Sequence, residues 1–471
     1  MRSRGRGPTF RLLLGVCGAL AAELAFGAAA RGETMSGALA LAYQNNPDLN
    51  QQRAGVRAQD EGVPRATAAY RPTVAGTAQY GFSHIAEQGS FFPGLPAEKF
   101  AETTDPSSFG VSVTETIFNG NRNYNGVRQA ESNVLQSRET LRNTEESVLQ
   151  DGATAYMNVL RDTAILDLRK NNIIVLEEQL RQTRDRFNVG EVTRTDVAQA
   201  ESSLASARSD YFTAQANLET SIANYHQVIG VDPKNLQPAR SVEALLPRTL
   251  PEAIKIGLAE HPSIIAALHA VDAAALQVKL VEGELYPTLQ VVGSVTQNYN
   301  YQGFPGLKEF EGLIQGQLTV PLYSGGETYA HIRQAKEQLS QAELQAEVQR
   351  DTVRANVVSD WGLLDTAKAV IRSDEAAVKS AEIALEGVRE EAKVGQRTTL
   401  DILNAQQTLL NARVSLVSAQ RDRVVASYQT LAAIGELYAA NISLDVQQYD
   451  PTVHFDQVKD SWFGLRTPDG R

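Results

Sequence analysis

Two hydrophobic periods alternate along this chain, in the same order twice. In 73–83, Val74, Gly76, Ala78, Tyr80 and Phe82 share one face, and Thr73, Thr77, Gln79 and Ser83 share the other. In 109–118, Phe109, Val111, Val113 and Ile117 oppose Ser112, Thr114 and Thr116. Leu289, Val291, Gly293 and Val295 oppose Thr288, Gln290, Ser294 and Thr296, and Ile314, Gly316, Leu318, Val320 and Leu322 form a fourth set. A period of two predicts strands, placed at 72–84, 109–119, 287–299 and 312–323. About ten residues suits a tilted strand crossing an outer membrane. The same alternation also suits a half-buried strand of a soluble sheet.

Between the strands, apolar residues recur every three or four positions. Residues 121–189 contain no proline, and a helix of that length runs roughly 100 Å at 1.5 Å per residue. After Val189-Gly190, the positions Val197, Ala200, Leu204, Ala207, Tyr211, Ala214 and Leu218 mark one face. After Val394-Gly395, Ile402, Ala405, Leu409, Ala412, Leu416 and Ala419 do the same. Such a 3–4 spacing is a coiled-coil seam, with alanines that let backbones approach closely. The partner is the preceding long helix, reversed at Gly190 or Gly395. Shorter helices are expected at 47–70 and 262–285, each stopped by a proline, Pro72 or Pro287.

The order is a duplication. Asn46-Pro47 returns as His261-Pro262, and Tyr70-Arg71-Pro72-Thr73 as Leu285-Tyr286-Pro287-Thr288, both 215 residues later. Ile117-Phe118-Asn119-Gly120 returns as Leu322-Tyr323-Ser324-Gly325, now 205 residues later. Val189-Gly190, Asp196, Arg208 and Ile229-Gly230 keep that second offset. One repeat therefore spans 31–235, with strands 72–84 and 109–119 and a helical hairpin 121–229. The other spans 236–440, with strands 287–299 and 312–323 and a hairpin 327–434. A polar C-terminal tail, 441–471, is expected to be peripheral.

Composition narrows the setting. Arg2, Arg4, Arg6 and Arg11 precede the apolar run Leu12 to Ala22, and small residues follow to Ala28-Ala29-Ala30. This is the layout of a secretory signal peptide, expected at 1–30; a membrane anchor needs a longer apolar run. Cleavage after Ala30 removes four Arg and one Glu, a net +3, and takes the formal charge from −11 to −14. An acidic chain argues against a nucleic-acid partner. The single cysteine, Cys17, lies in the signal segment, and bulky Val16 makes it a poor lipidation site. No disulfide or thiol chemistry is then expected. No uninterrupted run of 18 apolar residues occurs in the body of the chain, so a membrane reading rests on the strands. Four strands cannot close a barrel, and an open edge cannot face lipid. Transmembrane strands would therefore require several chains to share one barrel, with outer-membrane lipid against their apolar faces.

At this point the chain resembles the TolC outer-membrane efflux family over nearly all of residues 36–440. The resemblance rests on Arg186-Phe187-Asn188-Val189-Gly190 with Thr195-Asp196-Val197, and on Val394-Gly395-Gln396-Arg397-Thr398 with Asp401. It also rests on Ile117-Phe118, Pro321-Leu322-Tyr323-Ser324-Gly325-Gly326 and Ala155-Tyr156-Met157-Asn158-Val159-Leu160. It implies a mainly α protein with a membrane β-barrel. Its helix–strand–strand–helix halves would give a homotrimer four strands per chain, a shared twelve-stranded barrel, and a periplasmic tunnel of coiled-coil hairpins. It further implies an outer-membrane location, a periplasmic adaptor (membrane fusion) protein, and an inner-membrane pump of the RND or ABC type.

Carried over to this chain, the hairpin tips are Val189-Gly190 and Val394-Gly395. Thr195, Asp196 and Arg397 match residues that link the tips at a periplasmic entrance. An arginine–carboxylate pair suits such a lock, because the guanidinium fork binds bidentately. Asp401 matches an acidic ring, and the second ring position holds Asn404. Ala392 stands where a tyrosine is usual. A less tightly held entrance is therefore expected. Asp196 and Asp401 also sit where a helix start wants a carboxylate, and both roles can coexist.

One feature comes from this chain alone. Phe92-Pro93-Gly94-Leu95 and Phe304-Pro305-Gly306-Leu307 occupy both strand-connecting loops. Pro-Gly is a turn signal, and six such loops in a trimer would ring the outer mouth. The six histidines show no metal-binding spacing, and no phosphate-binding loop or nucleophile elbow is present, so neither cofactor nor enzymatic activity is expected. The favoured reading is passive conduction of substrates handed over by a pump, in efflux or type I secretion. The alternative is a non-conducting, periplasm-spanning coiled-coil protein with a structural or adhesion role.

Overall fold

A computed structural model of the chain describes residues 33–89 and 98–470. The first half opens with α1 (Met35–Asn45), α2 (Pro47–Asp60) and α3 (Gly62–Thr67). Four strands follow: β1 (Thr73–Tyr80), β2 (Ser83–Gly89), β3 (Glu98–Thr104) and β4 (Ser107–Phe118). A hairpin of α4 (Arg122–Asn188) and α5 (Arg194–Ile229) closes the half. The second half runs α6 (Leu250–Glu260), α7 (Pro262–Glu282), β5 (Thr288–Tyr299), β6 (Lys308–Thr319), α8 (Glu327–Lys393) and α9 (Thr399–Ala433). A last helix, α10 (Pro451–Val458), follows.

The repeated X-Pro pairs are helix starts. Asn46 Oδ1 accepts the amides of Asp48 and Leu49 at 2.9 and 3.2 Å, and Pro47 occupies the first turn, where no amide partner is needed. His261 Nδ1 accepts the amide of Ser263 at 3.1 Å and Pro262 repeats the role of Pro47. Burial drives the His261 pKa down to about 4, which keeps the ring neutral and able to accept.

Strands β1, β4, β5 and β6 form one antiparallel sheet in the order β1-β4-β5-β6, leaving β1 and β6 as edges. Pairing runs from Thr73↔Thr114 to Tyr80↔Ser107 and from Thr288↔Thr319 to Tyr299↔Lys308. A bulge interrupts the β4–β5 ladder between Thr116 and Phe118. Three strand limits differ from the expected ones. The first run breaks at Gly81, whose amide bonds Pro106 carbonyl, and 83–89 pairs with 98–104 as a separate hairpin. The expected 109–119 begins earlier, at Ser107. The expected 312–323 lies at 308–319, because β5 supplies partners only from Thr288, opposite Thr319. Alternation continues to Leu322, but a strand ends where its partner ends.

Both long hairpins form as the periods predict. Each long helix has 67 residues and packs along its return helix, α5 or α9. Leu176, Leu180, Ala200, Leu204 and Ala207 fill one seam, and Ala381, Leu385, Ile402 and Leu409 the other. One run, Leu250–Leu285, is apolar enough by length and composition to cross a membrane. It is two helices bent at His261-Pro262, and they pack on α4 and α8.

Midway along the hairpins the shorter helices build a girdle with the largest core. Leu39 and Tyr43 of α1, Leu149 and Tyr156 of α4, Tyr225 of α5, and Val357, Leu431 and Ile434 of α8–α9 meet there. Gly152 lets α1 and α4 close up, since a Cβ on it would sit 2.9 Å from Leu39 Cδ2. The Tyr156 hydroxyl lies 2.8 Å from the Glu33 carbonyl and 2.7 Å from that of Gln237, tying α4 to the segment before α1 and to the connection between α5 and α6. Burial pushes its pKa up to about 12. The tail is not simply peripheral. Leu444 and Val458 are buried, the Tyr449 amide donates to Tyr43 Oη, and α10 packs on α2. His454 Nδ1 lies 3.0 Å from the buried carboxylate of Asp60, which also faces Arg138 at 3.8 Å.

Where strand passes to helix, the two halves touch backbone to backbone. Gly120 has φ +70°, and a Cβ there would strike the Gly283 carbonyl and lie 2.8 Å from Tyr286 Cβ. A Cβ on Gly283 would lie 2.8 Å from the Gly120 carbonyl. Gly283→Ala should destabilise the fold by roughly 1–3 kcal/mol through overpacking. The check is the thermal unfolding midpoint of the purified protein; an unchanged midpoint would mean that this contact is absent.

Candidate functional site at the hairpin tips

Each tip is built from two backbone devices in series. At the end of α4, the Gly190 amide bonds the Phe187 carbonyl at 3.0 Å and the Glu191 amide bonds the Arg186 carbonyl at 2.9 Å. At the end of α8, Gly395 bonds Ala392 at 3.2 Å and Gln396 bonds Glu391 at 2.9 Å. Both patterns are Schellman caps, and both glycines sit at φ +80°, the left-handed region that a side chain disfavours. The Val-Gly pairs are thus helix terminators. Val189 and Val394 stand exposed at the apex, 73% and 72%.

The return helices begin with capping boxes. Thr193 Oγ1 accepts the Asp196 amide at 3.3 Å, and Asp196 Oδ2 accepts the Thr193 amide and hydroxyl at 2.8 and 2.7 Å. Thr398 and Asp401 repeat this arrangement at 3.3, 2.9 and 2.9 Å. These hydrogen bonds hold both carboxyls below the usual carboxylate range: first the Thr193 hydroxyl for Asp196, first the Thr398 amide for Asp401. Both aspartates therefore carry charge while serving as caps. The T-x-x-D spacing that signals this box is present in the sequence, where Asp196 and Asp401 read as helix-start carboxylates and Thr398 as part of the tip motif; the capping role of Thr193 and Thr398 comes from the structure.

The remaining expected residues lie around these caps. Thr195 is exposed beside Asp196, and Asn404 is exposed three residues after Asp401, on the same side of α9. Ala392 is buried in the α8–α9 seam with Leu385 and Ile402. Within one chain, Arg397 does not reach Thr195 or Asp196. Its Nε pairs with Glu391 Oε2 at 2.7 Å, inside its own tip. The first tip carries a matching pair, Arg186 Nε to Glu191 Oε2 at 2.9 Å, with the charges in reverse order along the chain. Neither Glu191 nor Glu391 stood out in the sequence, because such a pair forms only once the Schellman cap folds the chain back.

Between the ends of α4 and α8 lies a cleft of about 590 Å³, lined by Glu178, Arg186, Glu191, Glu386, Glu390 and Lys393, among others. Deeper, Gln406 of α9 reaches Asn172 of α4 at 3.3 Å, and Leu403 joins the α4–α5 seam. The two hairpins therefore pack side by side, with charged ends. Among the described residues, no group of three or more His, Cys, Asp or Glu side chains is placed to hold a metal. At the opposite end of the molecule, Phe92, Pro93 and Gly94 fall outside the described residues. Phe304, Pro305 and Gly306 form a turn around Asn300, whose Oδ1 accepts the Gly306 amide at 2.8 Å and whose Nδ2 donates to Asp105.

Comparison with known proteins agrees with this architecture. The family described as outer membrane efflux protein matches residues 38–231 and 253–436, one match per half. The outer membrane efflux protein BepC of Brucella suis biovar 1 (strain 1330) is 43% identical over 445 residues, 94% of this chain and 94% of that one. The outer membrane protein TolC of Escherichia coli (strain K12) is 24% identical over 429 residues, 88% of this chain and 84% of its own. In structure, the CmeC outer membrane channel of Campylobacter jejuni superposes with a TM-score of 0.75 at 18% identity, covering 90% of this chain and 89% of that one. Half by half and over nearly its full length, this chain belongs to the outer membrane efflux protein family.

Proposed function

We propose that three copies of the chain join their four-stranded sheets into one outer-membrane barrel and their hairpins into one periplasmic tunnel. The observation that carries this reading is a sheet with two unpaired edges and a solvent-exposed apolar face, mounted on 67-residue hairpins. Ile314 is 84% exposed in the single chain, and Val74, Tyr80 and Leu318 stand out with it. Edges β1 and β6 are complementary partners for the next copy, and closure leaves no open edge in lipid. The protein is an outer-membrane channel subunit that extends into the periplasm and conducts substrates passively, in efflux or type I secretion. A periplasmic adaptor and an inner-membrane pump of the RND or ABC type complete the path. The pump supplies the energy, and the duct itself needs no cofactor or catalysis.

The tips serve as the entrance. Asp401 lines it, Asn404 leaves the adjacent position uncharged, and Arg397 links neighbouring tips through Thr195 and Asp196. In the single chain Glu391 competes for the same guanidinium. At the other mouth, Phe304-Pro305-Gly306 forms part of the outer rim.

Single-channel conductance in a planar bilayer tests the duct and the lock together. The wild type should show a small conductance that rises clearly in Arg397→Ala. Glu391→Gln should not raise it, because it frees Arg397 for the neighbouring tip. An equal rise in both variants would make the pair within one tip the lock. No conductance from folded protein would overturn the channel reading.

The caps make a second, local prediction. Thr398→Ala should cost the tip about 1 kcal/mol of local stability and speed amide exchange at 396–402, but not at 193–199. The depressed carboxyls set the pH dependence: their stabilisation is fully present above the ordinary carboxylate pKa and is lost as pH falls through the folded values. Exchange protection at both tips should therefore hold from neutral pH down to that range and fall below it. Constant protection under strong acid would show that the carboxylates do not cap.

A further inference from the structure

The end of the chain presents three large apolar side chains to solvent. Trp462 is 67% exposed, Phe463 93% and Leu465 102%, three apolar groups within four residues. The segment is nonetheless held in place. Ser461 amide bonds the Val458 carbonyl at 2.9 Å, continuing α10, and α10 is fixed by the His454–Asp60 contact and by Phe455 under the Arg138 guanidinium at 5.1 Å. From the other side, Arg71 Nη1 donates to the Ser461 carbonyl at 2.6 Å, and its guanidinium lies 4.4 Å from the centre of the Trp462 ring.

Arg71 fixes the height of this segment. It stands two residues before Thr73, the first residue of β1, at the end of the sheet where the chain passes to the helices. Tyr70, Tyr286 and Tyr124 are exposed at the same junctions: Tyr70 precedes β1, Tyr286 precedes β5, and Tyr124 follows β4. Trp462 and Phe463 therefore continue an aromatic rim that borders the lipid-facing strands on the periplasmic side. Tryptophan and tyrosine favour this depth, where a ring meets acyl chains and its polar edge meets headgroups. Arg71 and Arg466 are the basic residues nearest this segment in position or contact, and Asp460 is an acidic neighbour two residues before Trp462.

We infer that Trp462-Phe463-Gly464-Leu465 is a monotopic anchor that inserts into the periplasmic leaflet of the outer membrane and binds phospholipid. It holds the girdle against the membrane from outside the barrel. Three side chains give a shallow, reversible insertion that adds to the barrel's own hold.

The chain has two tryptophans, Trp361 and Trp462, so Trp361→Phe leaves Trp462 as the only reporter in the full-length protein. The variant is reconstituted into phosphatidylethanolamine–phosphatidylglycerol vesicles that carry a nitroxide high or low on the acyl chain. Emission should be lost more with the high nitroxide than with the low one, and iodide should quench it less than it quenches free N-acetyltryptophanamide. Quenching by iodide alone would overturn the inference and place the segment in water or in the lumen. Protection from both quenchers would overturn it too, and would assign the segment to contact with another protein copy. Phe463→Cys, labelled with a nitrobenzoxadiazole dye, should give the same pattern if Trp361→Phe fails to fold.

Discussion

Backbone amides at a strand edge have no partner in hydrocarbon, and every large feature of this chain answers to that fact. Strands β1 and β6 each present one unpaired edge, so the sheet is complete only when further copies continue it. The exposed apolar residues of β1 and β6 follow from the same cause, since their surroundings are lipid and not a protein core. Assembly in turn demands that each chain bring a helical wall of matching width. The duplication supplies that wall as two hairpins of equal length, α4–α5 and α8–α9.

Duplication has kept the devices that hold the wall together. Arg208 bonds Glu177 at 2.8 Å, and 205 residues on Arg413 bonds Glu382 at 2.7 Å, the same bridge between long and return helix. The capping threonines and aspartates keep that offset as well. Surface bridges of this kind contribute little each. Their value lies in register, since they cross a seam of small residues that would otherwise permit sliding. Buried Asn172 and Gln406 do this between the two hairpins, and Ser221, which donates to the Asp162 carboxylate, does it within the first. The halves diverge at the tips: the tip ion pairs run in opposite order, and Phe187 of the first tip is replaced by buried Ala392 in the second.

The long helices, their seams and their tips were legible in the sequence, because a period of three to four sustained over dozens of residues has one structural reading, whereas the expected helix 47–70 breaks at Glu61. Gly190 and Gly395 could be placed because a helix end that needs positive φ selects glycine. Strand limits were less legible. The alternation in 73–83 and 312–323 is real, yet which residues pair depends on a neighbour far along the chain, as Gly81 with Pro106 and Thr319 with Thr288 show. The docked tail was not legible at all, because its anchors, Asp60 for His454 and Tyr43 for the Tyr449 amide, lie some four hundred residues upstream. At the tips, residue identity pointed to Arg397 and Asp401, while the pairing of Arg397 with Glu391 and the capping role of Thr398 appeared only with the fold.

The short turns at the tips have a mechanical consequence. A Schellman cap and a capping box leave only a few residues between two helices, so the turn has little freedom to flex. Motion of the tips must then come from the hairpins as rigid levers pivoting where they are gripped. Tyr156, pinned by two carbonyls in the girdle, marks such a fulcrum on α4. From there to Asn188 the arm is roughly 50 Å, so a tilt of about 5° swings the apex by about 4 Å. A change at the girdle too small to disturb its packing would thus be enough to displace the tips by more than the width of a water molecule.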